Sequence, residues 1–338
     1  MQWDDQIFPR GGQFELFDAL AFADKRLRSA RVAPAIPRRR ARCWLREGLA
    51  DFFPDLLTWP LGQAAACLPW RSQRSRSQED QRTGGPEAVE LNGRELSWDG
   101  CLNARDLGGL GQIRPGAVVR MEQPRRLTEA GWAAVWAYGV RTVLDLRGTD
   151  EYEPDRATRP AGITTVRLPL DPVGTPFYEH WAKIDNLASP LYFPAMLAEH
   201  PERLVAAVRA IANAAPGCVV FHCAAGKDRT GLLALVLLTL AGAAPQEIIA
   251  DYLLSYDRMK PRYDEIGVPD QLTAVNELLA GRDTTIEASL TSTIASLTMP
   301  DFLLENGLSA TELATLRTRL TNRVEAADGT WQADAHDR

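Results

Sequence analysis

Hydrophobic positions in this chain form two kinds of stretch that alternate from about residue 89 onward: short unbroken runs, and longer ones with an apolar residue every three to four positions. The short runs predict buried strands at 141–147 (RTVLDLR), 164–170 (TTVRLPL) and 219–221 (VVF). The longer stretches predict helices at 127–138, with Thr128 as N-cap and Trp132, Val135 and Trp136 on one face, and at 202–214, 245–259 and 271–279. The run 232–240 (LLALVLLTL) is apolar all round, the pattern of a helix inside a core. Strands alternating with helices predict an α/β domain with a central, mostly parallel sheet flanked by helices. Asn92-Gly93 is a two-residue turn signal that opens the domain as a hairpin.

Two segments break this rhythm. Residues 173–200 combine Phe177, Tyr178, Trp181, Tyr192 and Phe193 with Pro and Gly, and two readings stand: a lid over a site (about 172–200), or an insertion that merely packs on the domain. The other is the polar loop between strand 219–221 and helix 232–240. There, in HCAAGKDRTG (222–231), five residues separate Cys223 from Arg229. Wrapped into a cradle, such a loop aims the backbone N–H groups of Ala224, Ala225, Gly226, Lys227 and their successors at one centre, and the helix that follows adds its positive end. A tetrahedral oxyanion fits that centre. Arg229 supplies a planar fork for two phosphate oxygens, and the same positive surroundings favour the thiolate of Cys223. Gly226 permits close backbone approach or a positive φ, and Thr230 places a hydroxyl beside the sulfur. The predicted chemistry is attack of Cys223 on phosphorus, with His222 as a supporting residue at the strand end.

The segment HCAAGKDRTG resembles the signature loop of the protein tyrosine phosphatase superfamily, and Lys227-Asp228-Arg229 is similar to its bacterial branch, which contains tyrosine, dual-specificity and phosphoinositide phosphatases. The segment 103–109 (NARDLGG) is similar to the opening of that branch and 299–320 to its terminal helices, so the resemblance covers about residues 88–323. It implies a cysteine-based phosphatase fold with a helical lid and extra C-terminal helices. It also implies a cysteinyl-phosphate intermediate, no metal and no cofactor. The implied substrates are phosphotyrosine, phosphoserine or phosphothreonine in proteins, or phosphoinositides. Under this resemblance Asp228 ranks first as the general acid that protonates the leaving group, Asp145 second, and Asp171 at a strand end third. Asp145 serves equally well as the partner of Arg147 or Arg141. Lys227 stands where phosphoinositide phosphatases carry a lysine, which implies a contact with a second phosphate. In one place the chain departs from the branch: Arg120 is followed by Met121 and Glu122 where arginine and then serine are usual.

Two other classes compete with this reading. A phosphate-binding protein without catalysis would have lost the nucleophile or the arginine, and both are present. Arsenate reduction would need resolving cysteines, and Cys218 lies on the strand itself.

Composition adds boundaries more than chemistry. At 338 residues, 45% hydrophobic and 24% charged, the chain can bury a sizeable core. Residues 1–87 predict a basic extension outside the folded domain (88–325), since Lys25, Arg26, Arg28, Arg31, Arg38, Arg39, Arg40, Arg42 and Arg46 follow one another without an acid and 71–86 has a linker's composition. It is either a solvated extension or an arm for an acidic membrane surface or a partner. Residues 326–338 predict a flexible tail. A net charge of -6 argues against a general nucleic-acid binder. The apolar stretch 52–70 is broken by Pro54, Asp55, Pro60 and Pro69, which argues against a membrane span. Five cysteines without a disulfide framework, no zinc-ligand spacing and no signal-peptide pattern predict a cytoplasmic protein, with secretion by another route left open. Oligomeric state leaves no mark in the sequence.

Overall fold

The computed structural model describes residues 93–183 and 187–321, and the backbone of 323–325 and 331–333. The basic segment, the linker and the first arm of the expected hairpin lie outside the described residues. In its second arm Glu95 bridges Arg105 in antiparallel fashion.

Five strands form the main sheet: β1 (Arg105–Asp106), β2 (Val118–Met121), β3 (Val140–Asp145), β4 (Thr164–Arg167) and β5 (Cys218–His222), in the spatial order β1-β2-β5-β3-β4. Only β1 runs antiparallel to its neighbour; β2, β5, β3 and β4 are parallel. The strand with the unbroken apolar run is thus the central one. All five residues of β5 are buried, because helices cover both faces of the sheet there. Strand alternation divides its side chains between two cores: Val219 and Phe221 join the larger one, Cys218 and Val220 the smaller.

The smaller core is closed by α1 (Glu129–Ala137), where Thr128 accepts the Gly131 amide at 3.1 Å as the expected N-cap and Trp132 and Val135 face inward. The larger core is built by α4 (Pro201–Ala212), α5 (Asp228–Leu240) and the helices after it. Those are α6 (Pro245–Glu265), α7 (Gln271–Ala280), α8 (Ile286–Ser296), α9 (Asp301–Glu305) and α10 (Ala310–Thr321). Helix α6 continues past its expected end at Met259, through Pro261, to Glu265. A proline inside a helix costs about 3 kcal/mol, and here Met259 and Tyr263 on either side of it bury against Ala225 and Val268. Gly231 sits one turn into α5, where a Cβ would meet the Tyr252 ring at 2.8 Å, so its absence lets α5 and α6 close on each other.

The aromatic insertion forms α2 (Pro176–Lys183) and α3 (Tyr192–Glu199). Tyr178, Leu187, Tyr192, Phe193, Met196 and Leu197 all belong to the larger core, so the insertion is packed down on the domain. Beyond α10 the backbones of β6 (Arg323–Glu325) and β7 (Trp331–Ala333) pair antiparallel. Among the described residues no helix is long and apolar enough to cross a membrane.

Candidate active site

Sheet register gathers the site. His222 on β5 lies opposite Met121 on β2 and Asp145 on β3, and Asp145 lies opposite Arg167 on β4. The next residues of each strand therefore emerge side by side at the C-terminal edge, where open α/β sheets bind ligands. They are Glu122 and Gln123, Leu146 and Arg147, and the loop 223–227.

That loop is tied from outside by its carbonyls. Cys223 O takes a hydrogen bond from His222 Nδ1 at 2.8 Å, Ala224 O from the Gln123 amide at 2.9 Å, Ala225 O from Asn103 Nδ2 at 2.9 Å, and Gly226 O from Arg120 Nη2 at 2.8 Å. Lys227 O accepts the Gly231 amide at 2.7 Å. In a trans peptide the N–H points opposite to the C=O. Five outward carbonyls therefore turn the N–H groups of residues 224–228 to the inner side, the arrangement of an anion-binding nest at a helix start. Gly226 has φ +70° and a Cβ there would lie 2.4 Å from Met121 O, so both reasons for glycine hold at this one position.

Behind the nest lies a buried charge cluster. Asp251 on α6 receives Arg105 Nε at 2.9 Å, Arg120 Nη1 at 2.6 Å and Arg94 Nη2 at 3.1 Å. Burial opposes the charge of Asp251, and these three cations overcome it and hold the carboxyl well below the usual carboxylate range. Burial, with Arg120 close by, brings Arg105 down to about 10, still protonated at neutral pH. Three arginines face one carboxylate, so the cluster leaves excess positive charge behind a loop suited to anions. Arg105 also donates to Ser255 Oγ at 2.8 Å and to Asn103, whose amide holds Ala225. Glu122, two residues after Arg120, accepts the amides of Leu102 at 2.6 Å and Asn103 at 2.9 Å, and so fixes the same segment.

On the opposite side Arg229 is aligned by Glu151, whose two oxygens take Nη1 at 2.5 Å and Nη2 at 2.8 Å, while Asp171 Oδ2 lies 3.6 Å from Nη1. Asp145 is gripped by Arg147 through Nε at 2.9 Å and Nη2 at 2.8 Å. Burial works against the Asp145 charge, and His222 together with this two-point contact outweighs it, so the carboxyl stays ionised far into acid. Of the two roles open to Asp145, the structure displays the ion pair with Arg147; Arg141 turns to backbone carbonyls instead.

Burial also pushes His222 down to about 4, leaving it neutral at pH 7. The unfolded histidine titrates near 6.5, so the unfolded chain takes up the proton first. Stability from this group is complete above pH 6.5 and is lost as pH falls toward 4. We expect the melting temperature to drop between pH 7 and pH 5 and to drop less in His222→Asn, which keeps a donor for Cys223 O. Thermal melts of both proteins across that window check this, and parallel curves would assign the acid sensitivity to other groups.

Lys227 is buried beside the loop. It is 1% exposed, and its Nζ meets Asp228 Oδ1 at 2.7 Å, Ala188 O at 3.3 Å and Tyr256 OH at 3.4 Å, over the face of the Tyr256 ring. Its ammonium is thus turned into the protein. Asp228, with its side chain 20% exposed, also accepts Tyr252 OH at 3.1 Å. The side chains of Asp145 and Asp171 are 5% and 6% exposed.

Residues 96–322, well over half of the chain, match the profile of the tyrosine phosphatase family. The chain belongs to that family. It is similar to a Cupriavidus necator protein bearing a provisional tyrosine-protein phosphatase name (32% identical, over 51% of this chain and 67% of that one). It is also similar to a Nostoc commune tyrosine-protein phosphatase (37%, over 41% and 48%) and to the triple specificity protein phosphatase PtpB of Mycobacterium tuberculosis (28%, over 68% and 90%).

In this tyrosine phosphatase family member, the structure brings together Cys223, Ala224, Ala225, Gly226, Lys227, Asp228, Arg229, Thr230 and His222 around one loop, with Asp171 against Arg229. Thr230 Oγ1 is fully buried and has no hydrogen-bond partner among the described residues, which leaves its hydroxyl available to a neighbour. Cys218 differs from Cys223 in place: it lies within the sheet, and burial, with Asp106 nearby, pushes its thiol up to about 12. Glu151, Asp251, Tyr252 and Tyr256 escaped the sequence reading. Each is an ordinary residue of a helix or turn there, and only the folded chain shows what it touches.

Proposed function

We propose that this phosphatase hydrolyses phosphate monoesters through a cysteinyl-phosphate on Cys223, with phosphotyrosine as the principal substrate. The outward-tied carbonyls of residues 223–227 carry this reading, because they present a row of N–H donors to an oxyanion beside a cysteine. The thiolate attacks phosphorus, an S–P bond forms, and the P–O bond to the leaving group breaks. Arg229, aligned by Glu151, and the loop amides take the charge of the equatorial oxygens. Water then attacks phosphorus, the S–P bond breaks, and Thr230 donates to the departing sulfur.

Asp228 is the proposed general acid, supported by its partial exposure at the mouth of the loop. It gives its proton to the leaving oxygen and takes one back from the attacking water. Asp228→Asn is expected to lower kcat by about a hundredfold on an alkyl phosphate such as phosphoserine, and much less on p-nitrophenyl phosphate, whose leaving group needs no proton. Steady-state rates on both esters test this; equal losses would remove Asp228 from proton transfer.

The similarity to a phosphatase named for triple specificity supports a site open to several phosphomonoesters. Its extension to phosphoinositides is supported by the resemblance to a branch that contains phosphoinositide phosphatases, and the buried Lys227 side chain adds nothing to that support. Lys227→Ala is therefore expected to reduce kcat/KM by the same factor on a phosphotyrosine peptide and a phosphoinositide, since Lys227 positions Asp228. A loss confined to the lipid would restore a headgroup contact.

A further inference from the structure

The two oxygens of the Asp228 carboxyl, at the start of α5, meet different surroundings. Oδ1 accepts two hydrogen bonds, from Lys227 Nζ at 2.7 Å and from the Tyr252 hydroxyl at 3.1 Å. Oδ2 has no such partner among the described residues. Tyr252 reaches Asp228 from α6, and its ring is fixed on several sides. One turn after Asp228, a Cβ on Gly231 would lie 2.8 Å from that ring, so the ring occupies the space the glycine leaves. Phe193 on α3 meets it edge-on with centroids 5.9 Å apart, and Tyr256, one turn along α6, lies at the same distance. Burial, with Tyr256 and Asp228 beside it, pushes the Tyr252 phenol well above its ordinary range, so the hydroxyl keeps its proton and donates. Tyr256 OH is held in turn by Lys227 Nζ at 3.4 Å.

We infer that Tyr252 is a positioning residue for proton transfer: with Lys227 it pins Oδ1 of Asp228 and leaves Oδ2 as the oxygen that carries the proton to the leaving group. The inference rests on the reading of Asp228 as the general acid. A protonated carboxyl keeps one oxygen as acceptor and turns the other into a donor. A proton on Oδ1 would face two donors already in place, so it resides on Oδ2. From there it passes to the leaving oxygen as the P–O bond breaks, and Oδ2 takes one back from the water that attacks the cysteinyl-phosphate. Without the Tyr252 hydroxyl, Lys227 is the one donor left on Oδ1, and a single contact lets the carboxyl turn about its own axis. Orientation of a catalytic group is itself part of the barrier. A hydroxyl that merely ties α6 to α5 would instead affect every ester alike.

The test measures kcat of wild type, Tyr252→Phe, Asp228→Asn and the double variant on a phosphoserine peptide and on p-nitrophenyl phosphate. Tyr252→Phe keeps the ring against Gly231 and Phe193 and removes only the hydroxyl. It is expected to lower kcat on the phosphoserine peptide by about tenfold, the scale of one hydrogen bond to a charged group, and to lose far less on p-nitrophenyl phosphate. In the Asp228→Asn background the same substitution should have little further effect on the phosphoserine peptide, because the group it serves is gone. Equal losses on both esters, no loss on the phosphoserine peptide, or the same factor in both backgrounds overturns the positioning role. A Tyr252→Phe protein that melts below the assay temperature overturns it as well, since the hydroxyl would then hold the fold. If Asp228→Asn itself loses equally on both esters, the general acid lies elsewhere and the inference falls with that reading. If Asp228→Asn is selective and Tyr252→Phe is not, the inference falls alone.

Discussion

Cys223→Ser is expected to lose turnover by at least about a thousandfold on every phosphomonoester, while still binding phosphate or vanadate. The two halves of this result have different causes. A hydroxyl has no neighbouring base to ionise it in this loop, so the nucleophile is lost. The binding side is backbone: the amides of residues 224–228 keep their direction because Gln123, Asn103, Arg120 and His222 hold the carbonyls, and none of those contacts uses the sulfur. Vanadate at about a hundred times its dissociation constant should raise the stability of the variant by about 2.7 kcal/mol, read as an upward shift in melting temperature. Turnover within tenfold of wild type would place the nucleophile elsewhere, and loss of the vanadate shift would mean that the loop is not held in the way described.

Asp251→Asn is expected to be the most damaging change outside the loop. The asparagine keeps the shape but removes the single negative charge that Arg105, Arg120 and Arg94 share. Breaking a buried ion pair in this way costs about 3–5 kcal/mol, against a total stability of roughly 5–15 kcal/mol for a typical domain. Arg120 and Asn103 also hold Gly226 and Ala225, so the loop should loosen before the domain unfolds, and activity should fall at temperatures where the fold survives. Urea denaturation with activity measured in parallel checks both parts. A stability change within about 1 kcal/mol would show that the arginines are neutralised by other groups.

What could be read from the sequence was whatever is written locally. The unbroken run 219–221 gave β5, the apolar stretch 232–240 gave α5, and Thr128 gave the start of α1, because strand burial, helix burial and an N-cap each depend on neighbours in the chain. The loop between β5 and α5 was legible for the same reason, since its residues occur in one unbroken segment. Charge partners were not. Arg229 lies 78 residues from Glu151, and Arg105 lies 146 from Asp251. No periodicity in either segment records the pairing. A lysine in a polar loop, such as Lys227, ordinarily points to solvent. Here Asp228, Tyr256 and the Ala188 carbonyl on the aromatic insertion turn it inward. The aromatic residues of the insertion fit a lid or a packed segment equally well in sequence, and Phe177, Trp181 and Tyr192 pack on one another.

The central claim is that phosphate passes through a covalent bond to Cys223. The most direct measurement mixes wild-type protein with a phosphorus-labelled aryl phosphate, quenches in acid within the first turnover, and maps the label by peptide digestion and mass spectrometry. The account predicts label on the peptide that contains Cys223, bound through a phosphorus–sulfur bond and absent from Cys223→Ser. Label on another residue, or product released in the first turnover with no labelled protein at any quench time, would contradict it.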